Sequence, residues 1–322
     1  MLSTKYKEQV DLLIQILPHV AKEESLALKG GTAINLFVRN MPRLSVDIDL
    51  TYTSITDDRQ TALQHISEAV IRIDENIRKA IPGISVTHIP PKQGDDVKLN
   101  CQMNNAHVKI EVNTVTRGII FPVRMMALTD LAQAEFGKFA AIQVVSHGEL
   151  FGGKICAALD RQHPRDLFDI HHLIHQEGFS DEVRLGFIMF LVSHHKPVHD
   201  LLFSHHHDHT ATLEQQFAGM TVEPFTYETY ETTRRILSSE IRKILTENDK
   251  KFLISFENGT PDWNLVAIES LKDLPAVKWK LQNIHKLIEQ NPSKHLSGIK
   301  GLTEKLNNSP EPTIYRIRKL RR

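Results

Sequence analysis

The sequence predicts an α+β fold, a mixed sheet flanked by helices, joined to a C-terminal half built of helices alone. Three observations predict it. Short period-two segments are confined to the first half of the chain, a Gly-Gly pair separates a strand-like from a helix-like segment, and beyond about Phe179 only helical patterning is visible. With 322 residues, 41% of them hydrophobic, the chain is long enough for two domains, expected over residues 1–146 and 147–322.

The elements follow in order. From Tyr6 to Ala21 the apolar residues Val10, Leu13, Ile14, Leu17 and Val20 recur at three- and four-residue steps, the pattern of an amphipathic helix. Leu26-Ala27-Leu28 is a short apolar strand, Gly30-Gly31 breaks it, and Thr32 to Val38 resumes a helical pattern. Val46 to Tyr52 alternates with a period of two, which predicts a half-buried strand. Asp57 to Ala80 is expected as a helix capped by Asp57 or Asp58. Strand-like pieces follow at Ile84 to Ile89, Val97 to Met103 and Val108 to Asn113, the last two joined as a hairpin through Asn104-Asn105-Ala106. Ile142 to Val145 is one more strand. His147 to Arg161 and Arg165 to His175 are helices separated by Pro164, whose ring suits a first helical turn.

Lys+Arg and Asp+Glu both number 39, so with His neutral the formal net charge is zero. No global positive field exists to draw in nucleic acid, and a polynucleotide contact must be local. The basic run Tyr315 to Arg322 is the obvious local candidate, although such ends are usually solvated. Cys101 and Cys156 have no CxxC spacing, which argues against a zinc knuckle or disulfide framework and suits a reducing cytoplasm. Met1 to Tyr6 is polar, and no stretch reaches a membrane-spanning length, so a cytoplasmic protein without a membrane partner is expected.

The chemistry concentrates in Ser45-Val46-Asp47-Ile48-Asp49-Leu50. On a strand Val46, Ile48 and Leu50 face one side while Ser45, Asp47 and Asp49 face the other. Two carboxylates this close raise each other's pKa unless a cation lies between them. Mg²⁺, or Mn²⁺ in its place, is the natural partner, because it takes a few carboxylates and leaves positions for water and phosphate oxygens. Val108 to Asn113 repeats the alternation and offers Glu111 as a third acid, enough for a two-metal site. A D-x-D strand alone is weak evidence. Gly30 and Gly31 strengthen it, since they let the backbone approach a phosphate and the following helix presents free N–H groups, with the Thr32 hydroxyl beside them.

The order Gly-Gly-hydroxyl, helix, then Arg43-Leu44-Ser45-Val46-Asp47-Ile48-Asp49 is that of the nucleotidyltransferase superfold related to polymerase beta. The resemblance is closer still. Lys29-Gly30-Gly31-Thr32-Ala33 with Arg43-x-Ser45-x-Asp47-x-Asp49-Leu50 resembles the AbiEii/AbiGii family of bacterial nucleotidyltransferase toxins. Gly153-Lys154, Asp160-Arg161 and Arg165-Asp166-x-x-Asp169 look like that family's downstream motifs, as do His194 to His199, Phe217 to Thr221 and Pro275 to Lys280. The resemblance implies the toxin of a type IV toxin–antitoxin or phage-defence (abortive infection) system, with an antitoxin encoded nearby. It also implies NTP as substrate and an acceptor such as the tRNA acceptor stem.

The expected site follows. Asp47, Asp49 and Glu111 bind the metal; Gly30, Gly31, Thr32, Arg43, Ser45, Lys154, Arg161 and Arg165 hold the nucleotide. Lys154 is expected as a mobile cation, with Arg161 on its helical face and Asp169 orienting it or Arg165. Asp160 and Asp166 read equally well as site residues and as ion-pair partners of Arg161 or Arg165 that order the turn. The helical domain is expected to complete the cleft. Competing expectations are a small-molecule nucleotidyltransferase of the antibiotic-modifying kind and a non-catalytic protein that sequesters a partner. The histidines from His194 to His209 have no accompanying cysteine and are expected as a solvated loop, and Trp263 and Trp279 as core.

Overall fold

The computed structural model describes residues 2–89 and 97–308; the basic run at 315–322 lies outside them. Two compact units emerge, Met1–Ser146 with Glu214–Pro224, and His147–Leu213 with Phe225–Arg322. The sequence reading places 147–322 in one helical domain, whereas Glu214–Pro224 groups with the first unit. The reason is backbone pairing: Arg43 bridges Thr221, and the Leu44 N–H donates to the Met220 carbonyl at 2.7 Å.

The first unit begins with helix α1 (Thr4–Val20), whose Val10, Leu13, Ile14, Leu17 and Val20 are buried as the spacing requires. Strand β1 (Leu26–Lys29) follows, then a single turn α2 (Gly30–Thr32) that runs into a π-helical segment, Ala33–Val38. Next come β2 (Asp47–Tyr52) and helix α3 (Arg59–Ala80). Of the two expected caps Asp58 is the one used, accepting from the Thr61 N–H at 2.8 Å. Strands β3 (Ser85–Ile89), β4 (Val97–Met103) and β5 (Ala106–Asn113) form a meander. The β4–β5 hairpin turns through Asn104 and Asn105, with Met103 paired to Ala106 and Asn104 at a positive φ of 52°.

Strand β6 (Arg124–Ala127), helix α4 (Asp130–Phe136) and strand β7 (Ala141–Val144) complete the unit. Neither β6 nor α4 is expected from the sequence. All four β6 residues are at least partly exposed and none alternates with a buried neighbour, so the pattern that announces a strand is absent. The seven strands order as β3-β4-β5-β2-β1-β7-β6. Pairing is parallel for β2 with β5 and β1 with β7, and antiparallel elsewhere. The sheet is therefore mixed, with β2 near its centre.

The second unit is helical: α5 (His147–Arg161), α6 (Pro164–Gln176), α7 (Asp181–Ser193), α8 (Val198–Leu202), α9 (Thr210–Gln216, which crosses into the first unit), α10 (Tyr227–Lys243), α11 (Glu247–Glu257), α12 (Pro275–Gln290) and α13 (Pro292–Asn307). Pro164 occupies the first turn of α6, where its missing N–H has no intrahelical partner to lose. Trp263 packs on Phe252 at 5.7 Å between ring centroids, but Trp279 is 55% exposed instead of lying in the core. Position on α12 explains the difference: Ala276, Val277, Lys280 and Ile284 take the buried face, and Trp279 falls off it. Cys101 and Cys156 are buried free thiols. No helix of the described residues is long and apolar enough to cross a membrane.

Helices α5 and α7 touch backbone to backbone through glycines. A Cβ on Gly186 would lie 2.0 Å from the Gly148 carbonyl oxygen, and one on Gly152 would lie 2.3 Å from the Gly186 carbonyl carbon. Backbone cannot swing aside as a side chain can, so the helices must separate. Gly186→Ala is expected to destabilise the protein by about 3 kcal/mol or more. Gly153→Ala, whose added methyl would meet the Phe190 ring at 3.1 Å, should cost less. Denaturant midpoints of the two variants measure the contrast, and equal midpoints would refute it.

Candidate active site

The site grows from the register of β2. Asp47 and Asp49 stand on one face of that strand while Ile48 and Leu50 are fully buried on the other. In the parallel pairing with β5, Asp47 lies beside Lys109 and Asp49 beside Glu111. In the antiparallel pairing with β1, Asp49 lies opposite Lys29. On the far side of β5, Glu111 is opposite Lys98 and Lys109 opposite Asn100. Directly paired residues share a sheet face. A row therefore crosses four strands as Lys29, Asp49, Glu111, Lys98, two adjacent acids flanked by a lysine on either side, with Asp47, Lys109 and Asn100 as its neighbour.

The glycine turn lies against this row. Gly30 has φ +74°, and a Cβ there would come within 2.4 Å of Asp49 Oδ2. Only glycine accepts both that backbone and the carboxylate pressed on it. A Cβ on Gly31 would meet Arg43 Nη2 at 2.7 Å and Ser45 Oγ at 2.9 Å. Arg43 and Ser45 are buried beneath the turn, Arg43 donating to the Leu44 carbonyl at 2.9 Å. Thr32 is buried too. Its hydroxyl donates to the backbone carbonyl of Asp47 and lies 3.0 Å from Ser45 Oγ. The expected phosphate-facing hydroxyl thus braces the acidic strand from below, because α2 turns it inward.

Glu111 is on the expected face, yet its carboxylate is engaged. Oε1 accepts an ion pair from Lys98 Nζ at 2.5 Å and Oε2 one from Lys109 Nζ at 2.8 Å. Burial alone would raise this carboxyl, and the two lysines overcome it and hold it below its usual range. Hard carboxylate oxygens on one sheet face, with Gly30 keeping a side chain off Asp49, are a donor set that suits a divalent cation sharing phosphate oxygens. Asp47 and Asp49 fit that role. As the side chains stand, no group of three or more His, Cys, Asp or Glu among the described residues is placed to hold a metal ion, since Glu111 faces its lysines. Lys98 is the neighbour that the sequence reading misses. A signal for it exists: a two-residue turn pairing Met103 with Ala106 counts back to Lys98 opposite Glu111.

The downstream motif residues assemble in the helical unit. Lys154 is not a mobile cation. It is buried midway along α5, with Nζ 2.8 Å from Asp166 Oδ1 and 3.0 Å from Asp169 Oδ2. Arg161, two turns later on the same face, closes a two-pronged contact on Asp166 at 2.6 and 3.1 Å. Asp169 thus orients Lys154, one of its two expected partners. Asp166 is 1% exposed; burial would raise its carboxyl, but Lys154 and Arg161 outweigh burial and hold it far below the carboxylate range. Arg165 is half-buried in the first turn of α6, its N–H donating to His163 Nδ1 at 3.1 Å. Asp160 instead pairs with Lys196 at 2.5 Å. In the histidine-rich stretch, the His205 carbonyl and His207 N–H are tied to the Gln162 side chain.

Residues 11–283 match the sequence family described as "Nucleotidyl transferase AbiEii toxin, Type IV TA system". No curated protein matches the sequence. Among solved structures the fold is similar to that of MenT4, nucleotidyltransferase toxin Rv2826c from Mycobacterium tuberculosis H37Rv, with a TM-score of 0.60 and 15% identity over 88% of this chain and 95% of that one. At that identity the likeness speaks for the fold alone.

The buried Lys154 cluster makes a stability prediction. Lys154→Met leaves two buried carboxylates without their shared cation and should cost about 3–5 kcal/mol. Asp166 has a depressed folded-state pKa, so the stability it contributes is complete above its ordinary value of 3.8 and is lost as pH falls below that. Asp166→Asn should therefore lower stability at neutral pH and flatten the acid limb. Denaturant melts from pH 7 to about pH 2 measure both effects, and a wild-type limb as flat as the variant's would exclude the assignment.

Proposed function

The chain belongs to the AbiEii family of nucleotidyltransferase toxins of type IV toxin–antitoxin systems, and from that membership we propose that Asp47 and Asp49 form the metal-dependent centre at which an NMP passes from an NTP to an acceptor hydroxyl. The observation that carries this is the Asp49 carboxylate pressed against Gly30, too near to leave room for a Cβ there, on the strand face that Asp47 shares. The pair supplies hard oxygens, and the glycine turn leaves the backbone open to a phosphate beside them. Asp47 and Asp49, joined by Glu111, would hold Mg²⁺, or Mn²⁺ in its place; such an ion would neutralise triphosphate charge.

The chain's own residues do the remaining work. Thr32 ties the turn to Ser45 and to the Asp47 carbonyl of β2, with Arg43 lying under Gly31, so that the acids and the phosphate-accepting backbone keep one geometry. Transfer forms a bond from the acceptor oxygen to the α-phosphorus and breaks the bond to pyrophosphate. Lys154, Arg161, Arg165 and Asp169 match the family's downstream motif, and we assign them to the nucleotide on that resemblance. For the acceptor we propose the 3′ end of tRNA, for the compartment the cytoplasm, for the partner a cognate antitoxin, and for the role growth arrest in phage defence. All four rest on the family.

Incubation with each labelled NTP and total tRNA tests the proposal. Asp47→Asn and Asp49→Asn should lower transfer by about 10²-fold or more through lost stabilisation of developing charge, with circular dichroism unchanged. Asp47→Ala should abolish growth inhibition in cells. Label on protein or a small molecule alone would replace the tRNA acceptor and leave the chemistry standing; undiminished transfer by both aspartate variants would remove the site. Gly30→Ala should also fold yet lose about 10²-fold in transfer, since a misplacement of roughly 1 Å at Asp49 is enough.

A further inference from the structure

We propose that Lys98 and Lys109 are positioning residues that compete with the divalent cation for Glu111, so that the third carboxylate joins Asp47 and Asp49 only when the lysines let go. The inference rests on the metal centre proposed above and concerns what sets its affinity. Both carboxylate oxygens of Glu111 are taken, one by each lysine, at 2.5 and 2.8 Å. Each oxygen keeps a second lone pair, but a divalent ion there would sit against two ammonium charges, a repulsion relieved only when a lysine moves away. Displacement is feasible: the Lys98 and Lys109 side chains are 30% and 38% exposed against 18% for Glu111. Each lysine can swing its charge into solvent on a flexible four-carbon stem, whereas Glu111 is fixed on a central strand.

Charge logic points the same way. Asp49 and Glu111 are paired across parallel strands, and Asp47 lies two residues along. Three carboxylates on one face repel unless cations intervene. Lys98 and Lys109 supply that positive charge at Glu111 from strands β4 and β5, and a divalent cation supplies it from the β2 side. The two solutions use the same oxygens and oppose each other through the repulsion between the ion and the ammonium groups.

The test is Mn²⁺ binding followed by electron paramagnetic resonance on the full chain, with no nucleotide present. Lys98→Met and Lys109→Met should each bind Mn²⁺ about three- to ten-fold more tightly than wild type, the range of coupling between contacting groups. Lys98→Arg, which keeps the cation, should stay near wild type. Adding Glu111→Gln to either methionine variant should erase the gain. A gain that persists in the double variants would mean that the lysines act only through space, and no gain would mean that they do not compete; either result overturns the proposal. Asp47→Asn separates the two levels. If it leaves Mn²⁺ binding at the wild-type level, the metal centre itself is misplaced; if it abolishes binding while Lys98→Met changes nothing, only the competition is wrong.

Discussion

Carboxylates brought into register on neighbouring strands must be neutralised, and much of the first unit is arranged around that requirement. Parallel pairing of β2 with β5 sets Asp49 beside Glu111. Antiparallel pairing on the outer sides brings Lys29 to one flank and Lys98 to the other. The strand order β4-β5-β2-β1 is what converts four scattered residues into a row of two acids flanked by two lysines. Gly30 then closes on Asp49 because no side chain intervenes, and the buried Thr32 ties the turn to Ser45 and to the backbone of Asp47. Apolar burial builds the sheet, and this electrostatic constraint decides which polar residues its face can carry.

The same requirement is met differently in the helical unit. Asp166 and Asp169 are each 1% exposed and share Lys154, itself at 7%. Desolvation there is nearly complete, so removing Lys154 leaves buried carboxylates without their shared cation. Around Glu111 the lysines remain partly in water, where an ion pair contributes about 0–1 kcal/mol and a stronger cation can replace it. One cluster is therefore rigid and the other exchangeable. Both are built from lysine and carboxylate, and they differ in how far water screens the pair.

Much of this was legible in the residues. Period-two alternation located β2, β4 and β5 and put Asp47, Asp49 and Glu111 on polar faces, because a strand's side chains alternate whatever surrounds it. Gly30-Gly31 announced a turn, and the spacing of Val10, Leu13, Ile14, Leu17 and Val20 announced α1. The weak points were equally local in origin. Strand β6 lacks buried alternation, α4 is short, and Trp279 sits just off the buried face of its helix. Each escaped because period and propensity measure patterns over several residues, and these elements carry little pattern.

The sequence by itself determined which side chains share a strand face, that a glycine turn precedes the acids, and, through motifs spread over most of the chain, the family. Only the tertiary structure decided where charges and hydroxyls point. Thr32 turned inward beneath β2, Lys154 was captured by Asp166 and Asp169, and Glu111 came to lie between Lys98 and Lys109. The physical reason is one of range. Alternation is a property of neighbouring residues, whereas the partner of a charge is chosen by strand order and helix packing, which bring together residues far apart in the chain.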